Sequence, residues 1–322
     1  MEKKPLVIVA GPTAVGKTAL SVALAKRIGG SVISADSMQI YKYMDIGSAK
    51  VTREEMEGIP HYLIDELLPS EEFHIVRFQE MAKLALEDIY AKGRIPIVAG
   101  GTGFYIQALL YDIDFKNQDS DEALRKELAA YAREHGNHAL HEKLREIDPV
   151  SYERIHENNI KRVIRALEFY EKTKTPISAH NESARRPSPY NFAYFVLNDE
   201  RARLYENIDA RVDLMMEKGL LEEVRRLRAM GCHREMVSMQ GLGYKELLDY
   251  LEGHCTLETA VYVIKRETRH FAKRQLTWFK REPDVIWLDK NHYGSADMLH
   301  SEMLRILREK GIFDESAITG TI

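Results

Sequence analysis

Eight residues near the amino terminus, Gly11-Pro12-Thr13-Ala14-Val15-Gly16-Lys17-Thr18, carry the types and spacing of a phosphate-binding loop. Glycines let backbone N–H groups turn inward around an anion, and a helix N-terminus behind the loop adds a favourable dipole. Gly11, Thr13, Ala14, Val15 and Gly16 would line that cradle. Lys17 would reach the terminal phosphates, and the Thr18 hydroxyl would bind Mg2+. The competing reading is a chance turn with a solvated lysine, and the strand-like run before the loop and helical pattern after it argue against that. The loop puts the chain in the broad nucleotide-binding, ATP-binding class without saying which phosphate is held. ATPases and GTPases add a strand-end acid for the metal. The third strand here ends in Gly100-Gly101-Thr102, and no Asn-Lys-x-Asp guanine-reading motif occurs, so a motor or switch is disfavoured.

Asp36, in Ser34-Ala35-Asp36-Ser37, stands at the carboxyl end of the second predicted strand, the edge where open α/β sheets bind ligands. A carboxylate there is placed to take a proton or hydrogen bond from an incoming nucleophile. It is equally placed to cap or order the following loop, and position alone leaves both open. Gly100-Gly101-Thr102-Gly103, at another strand end, offers close backbone approach and a hydroxyl donor.

A third feature is basic. Leu257 to Glu282 contains no Gly or Pro and reads as one long helix, with Val261, Ile264, Phe271 and Trp278 on one face. Arg266, Arg269, Lys273 and Lys280 lie roughly opposite. Between Lys265 and Arg281 there are seven Lys or Arg against the single acid Glu267. A solvated face normally mixes signs, so the stripe reads as a track for a phosphate backbone. Lys161, Arg162 and Arg165 form a second basic edge.

These residues need a scaffold. Leu6–Ala10 and Ser31–Ala35 read as buried strands around a helix marked by Leu20, Leu24 and Ile28 and ended by Gly29-Gly30. This β-loop-α-β unit opens a parallel sheet covered by helices. A helix follows over 71–92, then a strand at Ile95–Ala99 and a helix at Phe104–Leu110. From Lys116 to Pro189 strands vanish. Charged amphipathic helices run over Asp121–Glu134, His138–Ile147 and Asn159–Thr173, and the polar stretch Ser183–Pro189 closes the segment. Strands return at Tyr190–Leu197 and Asp284–Leu288. The fold class is therefore α/β: a P-loop parallel sheet flanked by helices, with a discontinuous core (1–115 and 190–312), an all-helical insertion (116–189) and a poorly ordered tail after Gly311 (313–322).

Composition sets limits. A chain of 322 residues, 44% hydrophobic and 30% charged, suits a globular core plus a second lobe. Its net charge of −4 supplies no global pull on nucleic acid, so an RNA site must come from local clusters. The two cysteines, Cys232 and Cys255, form no disulfide framework and suit a reducing compartment, and their pairing with His233 and His254 lacks zinc spacing. The apolar run after Met1 is too short for a signal peptide or a membrane span, so a cytoplasmic protein is expected.

Taken together, the motifs resemble the tRNA dimethylallyltransferases (isopentenyltransferases) over nearly the whole chain. The likeness rests on Gly11–Thr18, on Ser34-Ala35-Asp36-Ser37 with Gln39-Ile40-Tyr41, and on Gly100-Gly101-Thr102-Gly103-Phe104-Tyr105. It continues in Arg162-Val163-Ile164-Arg165-Ala166-Leu167-Glu168, Gly243-Tyr244-Lys245-Glu246, and Thr268-Arg269 through Ala272-Lys273-Arg274-Gln275 to Thr277-Trp278. The resemblance implies that the loop holds the diphosphate of dimethylallyl diphosphate. The acceptor would be the 6-amino group of adenosine 37, next to the anticodon. It also implies Asp36 as general base, Thr102 on the allylic diphosphate, Arg211 on the diphosphate and Thr18 assisting Mg2+. By the same resemblance the insertion grips the anticodon stem-loop of tRNA, with Ser37, Gln39, Arg274 and Gln275 joining the basic residues at the RNA. A monomer is expected.

Two other classes remain in view. A P-loop small-molecule kinase also sets an acid at the second strand's end and uses a helical lid. An RNA-binding regulator with a decayed nucleotide site is the non-enzyme reading, against which the intact Lys17, Thr18 and Asp36 argue.

Overall fold

The computed structural model describes residues 3–113, 121–179 and 187–314. The chain divides into two compact units, residues 1–110 with 189–322, and residues 111–188.

The first unit is built on six parallel strands: β1 (Lys4–Ala10), β2 (Gly30–Ala35), β3 (His61–Tyr62), β4 (Ile95–Gly100), β5 (Tyr190–Asn198) and β6 (Val285–Asp289). Their order is β3-β2-β4-β1-β5-β6. β1 pairs with β4 on one side and along its whole length with β5 on the other, from Lys4 opposite Tyr190 to Ala10 opposite Val196. A strand so flanked, in a parallel sheet with helices on its faces, buries both sets of side chains. Leu6, Val7, Ile8, Val9 and Ala10 are accordingly buried without alternation. Pro5 is tolerated near the strand's start, where fewer ladder bonds are needed. The chain runs from β1 out to β2 and β3, returns to β4 beside β1, and then crosses to β5 on its other side, so the switch point of the sheet falls beside β1.

Helices α1 (Lys17–Ile28), α2 (Arg53–Met56), α3 (Ile75–Ala91) and α4 (Gly103–Leu110) belong to the first half of this unit. The second half supplies α9 (Arg201–Glu217), α10 (Leu220–Ala229), α11 (Tyr244–Leu251), α12 (Leu257–Phe279) and α13 (Ala296–Glu309). The expected helix over 71–92 begins later, at Ile75, because the His74 side chain accepts the Arg77 N–H and caps it there. The two-residue edge strand β3 carries no periodic signal and is found only through its register, Val32 opposite His61. The start of the expected loose tail is instead packed. Ile312 and Phe313 are buried in the cluster around Val7, Leu24 and Phe195, and residues 315–322 lie outside the described part.

In the second unit every described element is a helix: α5 (Glu122–His135), α6 (Asn137–Ile147), α7 (Pro149–Arg154) and α8 (Ile160–Thr173). Leu128, Leu140, Leu144, Val163 and Leu167 form its core. Glu168, fully buried, takes the Asp121 N–H at 2.7 Å and guanidinium groups of Arg125 and Arg165 at 2.9 Å. Lys116 and most of the stretch Ser183–Pro189 lie outside the described residues.

Candidate active site

All six strands being parallel, their carboxyl ends share one edge, and the loops leaving β1, β2 and β4 there carry the expected chemistry. The β1 loop is shaped by Gly11 (φ 144°), Ala14 (φ 63°) and Gly16 (φ 98°). At Gly11 a Cβ would come within 2.7 Å of the Leu197 carbonyl, so only glycine fits against β5. Gly16 caps α1 with no side-chain hydrogen bond. The first-turn N–H groups of α1 are thereby left for an anion rather than consumed by a capping oxygen. That Ala14 rather than glycine takes a left-handed conformation here was not anticipated from residue types.

Lys17, on the first turn of α1, donates to the Pro12 carbonyl at 2.7 Å. Burial lowers its pKa to about 8, with Arg211 adding to the fall and the Asp36 carboxylate opposing it. Asp36, one residue past β2, has its carboxyl raised above the ordinary range by burial, against the pull of the Met38 N–H, Lys17, the Gln39 N–H and Arg211. Arg211, on α9, is itself held below its usual value by burial, with Glu55 and Asp36 acting the other way. Three segments far apart in sequence thus place Lys17, Asp36 and Arg211 in one another's field.

The two readings left open for Asp36 turn out to be compatible. Its Oδ1 accepts the Met38 N–H at 2.8 Å and the Gln39 N–H at 3.4 Å, ordering the loop. Among the described residues no hydrogen bond engages Oδ2, an oxygen able to accept a proton or hydrogen bond. Ser37 follows, half-buried, while Gln39 turns inward, accepting from the Ser34 hydroxyl at 3.2 Å and donating to the Ala49 carbonyl at 3.1 Å.

Thr102 opens α4: its carbonyl accepts the Tyr105 and Ile106 N–H groups, and its own N–H donates to the Ala35 carbonyl at 3.3 Å. That last bond ties the β4 loop to the β2 exit beside Asp36. The neighbouring glycines are steric necessities, since a Cβ at Gly100 would lie 2.2 Å from the Ala35 carbonyl oxygen and one at Gly103 would lie 2.2 Å from the Trp278 ring.

Helix α12 differs from its expected facing. Its buried residues are Ala260, Ile264, Ala272, Gln275 and Phe279, so the stripe runs through Gln275 and Phe279, while Val261, Phe271 and Trp278 flank it half-buried. Gln275 is a correction in kind. Expected among the RNA contacts, it lies inside, its Oε1 accepting the Thr13 N–H at 2.9 Å and its Nε2 donating to the Gly101 carbonyl at 3.0 Å. The outer face also divides. Lys265 pairs with Asp213 at 2.6 Å, Arg266 with Glu267 at 2.9 Å, and Arg269 with Asp209. Lys273, Arg274 and Lys280 are exposed and form no ion pair among the described residues. On α8 Lys161 and Arg162 are exposed, whereas Arg165 turns to Glu168.

Two residues behind the P-loop escaped sequence reasoning. Lys290, just after β6, reaches the Val15 carbonyl at 3.4 Å and lies 3.1 Å from the buried Asp199 carboxylate. A lone lysine after a short strand carries no motif, so nothing in the sequence marked it. Among the described residues neither cysteine joins a grouping of metal-ligand side chains. The one grouping of donors among the described residues is Asp249, Glu252 and His254, and Arg234 sits on both carboxylates at 2.6 and 2.9 Å. No helix among the described residues is long and apolar enough to cross a membrane.

The geometry has close counterparts. Residues 39–282 match the family model described as IPP transferase. A tRNA dimethylallyltransferase of Lachnoclostridium phytofermentans is 60% identical over 310 residues, covering 96% of this chain and 99% of that protein. The tRNA isopentenylpyrophosphate transferase structure from Bacillus halodurans is 44% identical, with a TM-score of 0.72 over 96% of this chain and 98% of that one. A eukaryotic dimethylallyltransferase structure, caught acting on tRNA, is 30% identical, with a TM-score of 0.78 over 96% of this chain and 79% of that one. A P-loop beside a desolvated strand-end aspartate and a helix-borne arginine, in a chain matched along three-quarters of its length, belongs to the IPP transferase family.

Proposed function

We propose that the protein transfers a dimethylallyl group from dimethylallyl diphosphate to the 6-amino group of adenosine 37 in tRNA. The observation that carries this reading is the convergence of Lys17, Asp36 and Arg211, a cationic clamp and one base at the loop edge. An adenine amino group is a poor nucleophile because its lone pair is delocalised into the ring. The Asp36 carboxylate accepts one amino hydrogen as the nitrogen attacks the allylic carbon, localising that pair. The carbon–oxygen bond to diphosphate breaks, and the charge gathering on the leaving group is met by Lys17, Arg211 and the N–H groups of the loop. In this reading Thr102, at the start of α4, supplies a hydroxyl to the allylic diphosphate. The target base must leave its stack to reach Asp36.

The donor set suits Mg2+ as well. The Thr18 hydroxyl is exposed at the loop's exit and makes no hydrogen bond among the described residues, and a magnesium ion is commonly completed by substrate phosphates and water. When bound, the ion adds positive charge at the diphosphate. Outside the clamp, Lys273, Arg274 and Lys280 of α12, and Lys161 and Arg162 of the helical unit, are the exposed cations suited to the anticodon stem-loop backbone.

The test is incubation with unfractionated tRNA and dimethylallyl diphosphate, then nucleoside mass analysis. An adenosine heavier by one dimethylallyl group is the expected product. Unmodified tRNA, with ATP rather than dimethylallyl diphosphate protecting the protein against thermal unfolding, would establish the kinase reading instead.

A further inference from the structure

The segment that leaves Asp36 is gripped at its far end by a carboxylate that no reaction step uses. Glu223, on α10, is fully buried and accepts three consecutive backbone N–H groups: Asp45 at 2.9 Å, Ile46 at 2.8 Å and Gly47 at 3.0 Å. Tyr244, the first residue of α11, donates its hydroxyl to the same carboxylate at 2.8 Å. Its ring, also fully buried, is wedged between two glycines. A Cβ at Gly47 would come within 2.5 Å of it, and one at Gly241 within 3.2 Å. Such a site has room for one arrangement of ring, carboxylate and loop.

The grip is transmitted back toward Asp36. Two residues beyond Gly47, the Ala49 carbonyl receives the Gln39 side-chain amide, and Gln39 in turn receives the Ser34 hydroxyl from β2. Lys50 ties the same stretch to the Tyr41 carbonyl at 2.7 Å. Met38, whose N–H is held by Asp36, packs on Gly241, where a Cβ would approach its methyl within 2.6 Å. Residues 36–50 are therefore anchored at the sheet by Ser34 and Asp36, and on the opposite side by Glu223 and Tyr244.

We propose that Glu223 and Tyr244 are positioning residues for the acceptor. By holding 45–47 they fix the loop on which Asp36, Ser37 and Gln39 meet the flipped adenine, and they leave the diphosphate clamp untouched. This rests on the transferase reading above. The chemistry favours it over a role in stability alone, because one carboxylate ordering three successive N–H groups dictates a backbone path, which a hydrophobic plug of equal volume would not.

Steady-state kinetics with tRNA and dimethylallyl diphosphate test it in Glu223→Ala, Glu223→Gln and Tyr244→Phe, together with amide exchange at Asp45, Ile46 and Gly47. In Glu223→Ala the three amides should exchange faster, kcat should fall about ten- to hundredfold as the base is mispositioned, and the tRNA KM should rise. The donor KM should stay within about twofold of wild type. Glu223→Gln keeps one accepting oxygen and should recover part of the loss; Tyr244→Phe keeps the ring and should lose least. Unlocked amides with wild-type kcat and tRNA KM would overturn the proposal, as would a donor KM that rises in step with the tRNA KM. Should Glu223→Ala fail to fold, wild-type tRNA kinetics in both other variants would overturn it equally. A wild-type protein that modifies no tRNA would instead sink the transferase reading, and is distinguishable because the amide exchange still reports the grip.

Discussion

Gln275 and Thr13 stand 262 residues apart in the chain and are joined by one hydrogen bond of 2.9 Å, from the Thr13 N–H to the Gln275 side-chain oxygen. The same carboxamide holds the Gly101 carbonyl, so one side chain sets the spacing between the β1 and β4 loops, which flank the proposed diphosphate site. Gln275→Leu should strand both groups, and an unsatisfied buried polar group costs about 1–3 kcal/mol. We expect the donor KM to rise about tenfold with tRNA affinity changed less than about threefold. Donor KM and tRNA Kd measured side by side decide it. A loss confined to tRNA affinity would return Gln275 to the RNA surface.

Asp36→Asn separates the two jobs of that residue. The amide oxygen can still accept the Met38 N–H, but it cannot take a proton. Turnover should fall about 10²–10⁴-fold. Stability should hold or improve. Burial raises the Asp36 pKa in the folded protein, so its ionised form is disfavoured by folding at pH above that raised value. The penalty fades as pH falls from that raised value to the ordinary aspartate range and is absent below it, and asparagine carries none at any pH. Tm and turnover of the variant at neutral pH are the measurements. More than about a tenth of wild-type turnover would remove Asp36 from the role of base.

The depressed pKa of Lys17 predicts an alkaline limb. Near pH 8 half the free enzyme should carry a neutral Lys17, so kcat/KM for the donor should decline through about 8. Lys17→Arg should move the limb out of range, since a guanidinium stays protonated there. Arg211→Ala should lower the whole profile and move the limb toward higher pH, because Arg211 adds to the fall in the Lys17 pKa. A profile flat to pH 9 would show that Lys17 is charged throughout.

On α12 the ion pairs sort the expected RNA contacts. Lys273→Ala and Lys280→Ala should each flatten the slope of log tRNA affinity against log salt by about 0.7–0.9. Arg269→Ala should change it little, because that guanidinium is already turned to Asp209. Arg266, exposed and paired with its half-buried neighbour Glu267, should fall between, as pairs at the surface are weak and easily exchanged. Binding isotherms across a salt series check all four, and a larger change at Arg269 than at Lys273 would reverse the assignment.

The sheet and the P-loop were legible because both are written locally. β1 is an unbroken apolar run, and Gly11, Gly16, Lys17 and Thr18 sit at fixed spacing within one turn of chain. Asp36 was legible by position, though its engagement of the loop through one oxygen alone was not. Arg211 came from resemblance alone, since a single arginine in a helix rich in charge has no pattern to single it out.

What the sequence hid was long-range polar bonding. Gln275 lies amid Lys273, Arg274 and Lys280, and composition there speaks for a surface; only the packing of α12 against the loops turns it inward. Glu223 lies in Leu220–Ala229 beside Glu222 and Arg225, where helical periodicity with mixed charge reads as solvent-facing. Buried carboxylates of this kind are invisible to hydrophobic patterning because the partners that satisfy them are backbone groups of a distant loop.

The distance between Thr13 and Gln275 also sets a clock on biosynthesis. At about 5–20 residues per second, roughly ten seconds to a minute separates the emergence of the P-loop from that of the side chain that clamps it. β1 likewise waits for β5 before its second edge is covered. The P-loop thus emerges well before its contacts are complete, and on the transferase reading it would meet the donor in its mature geometry only once α12 has been made.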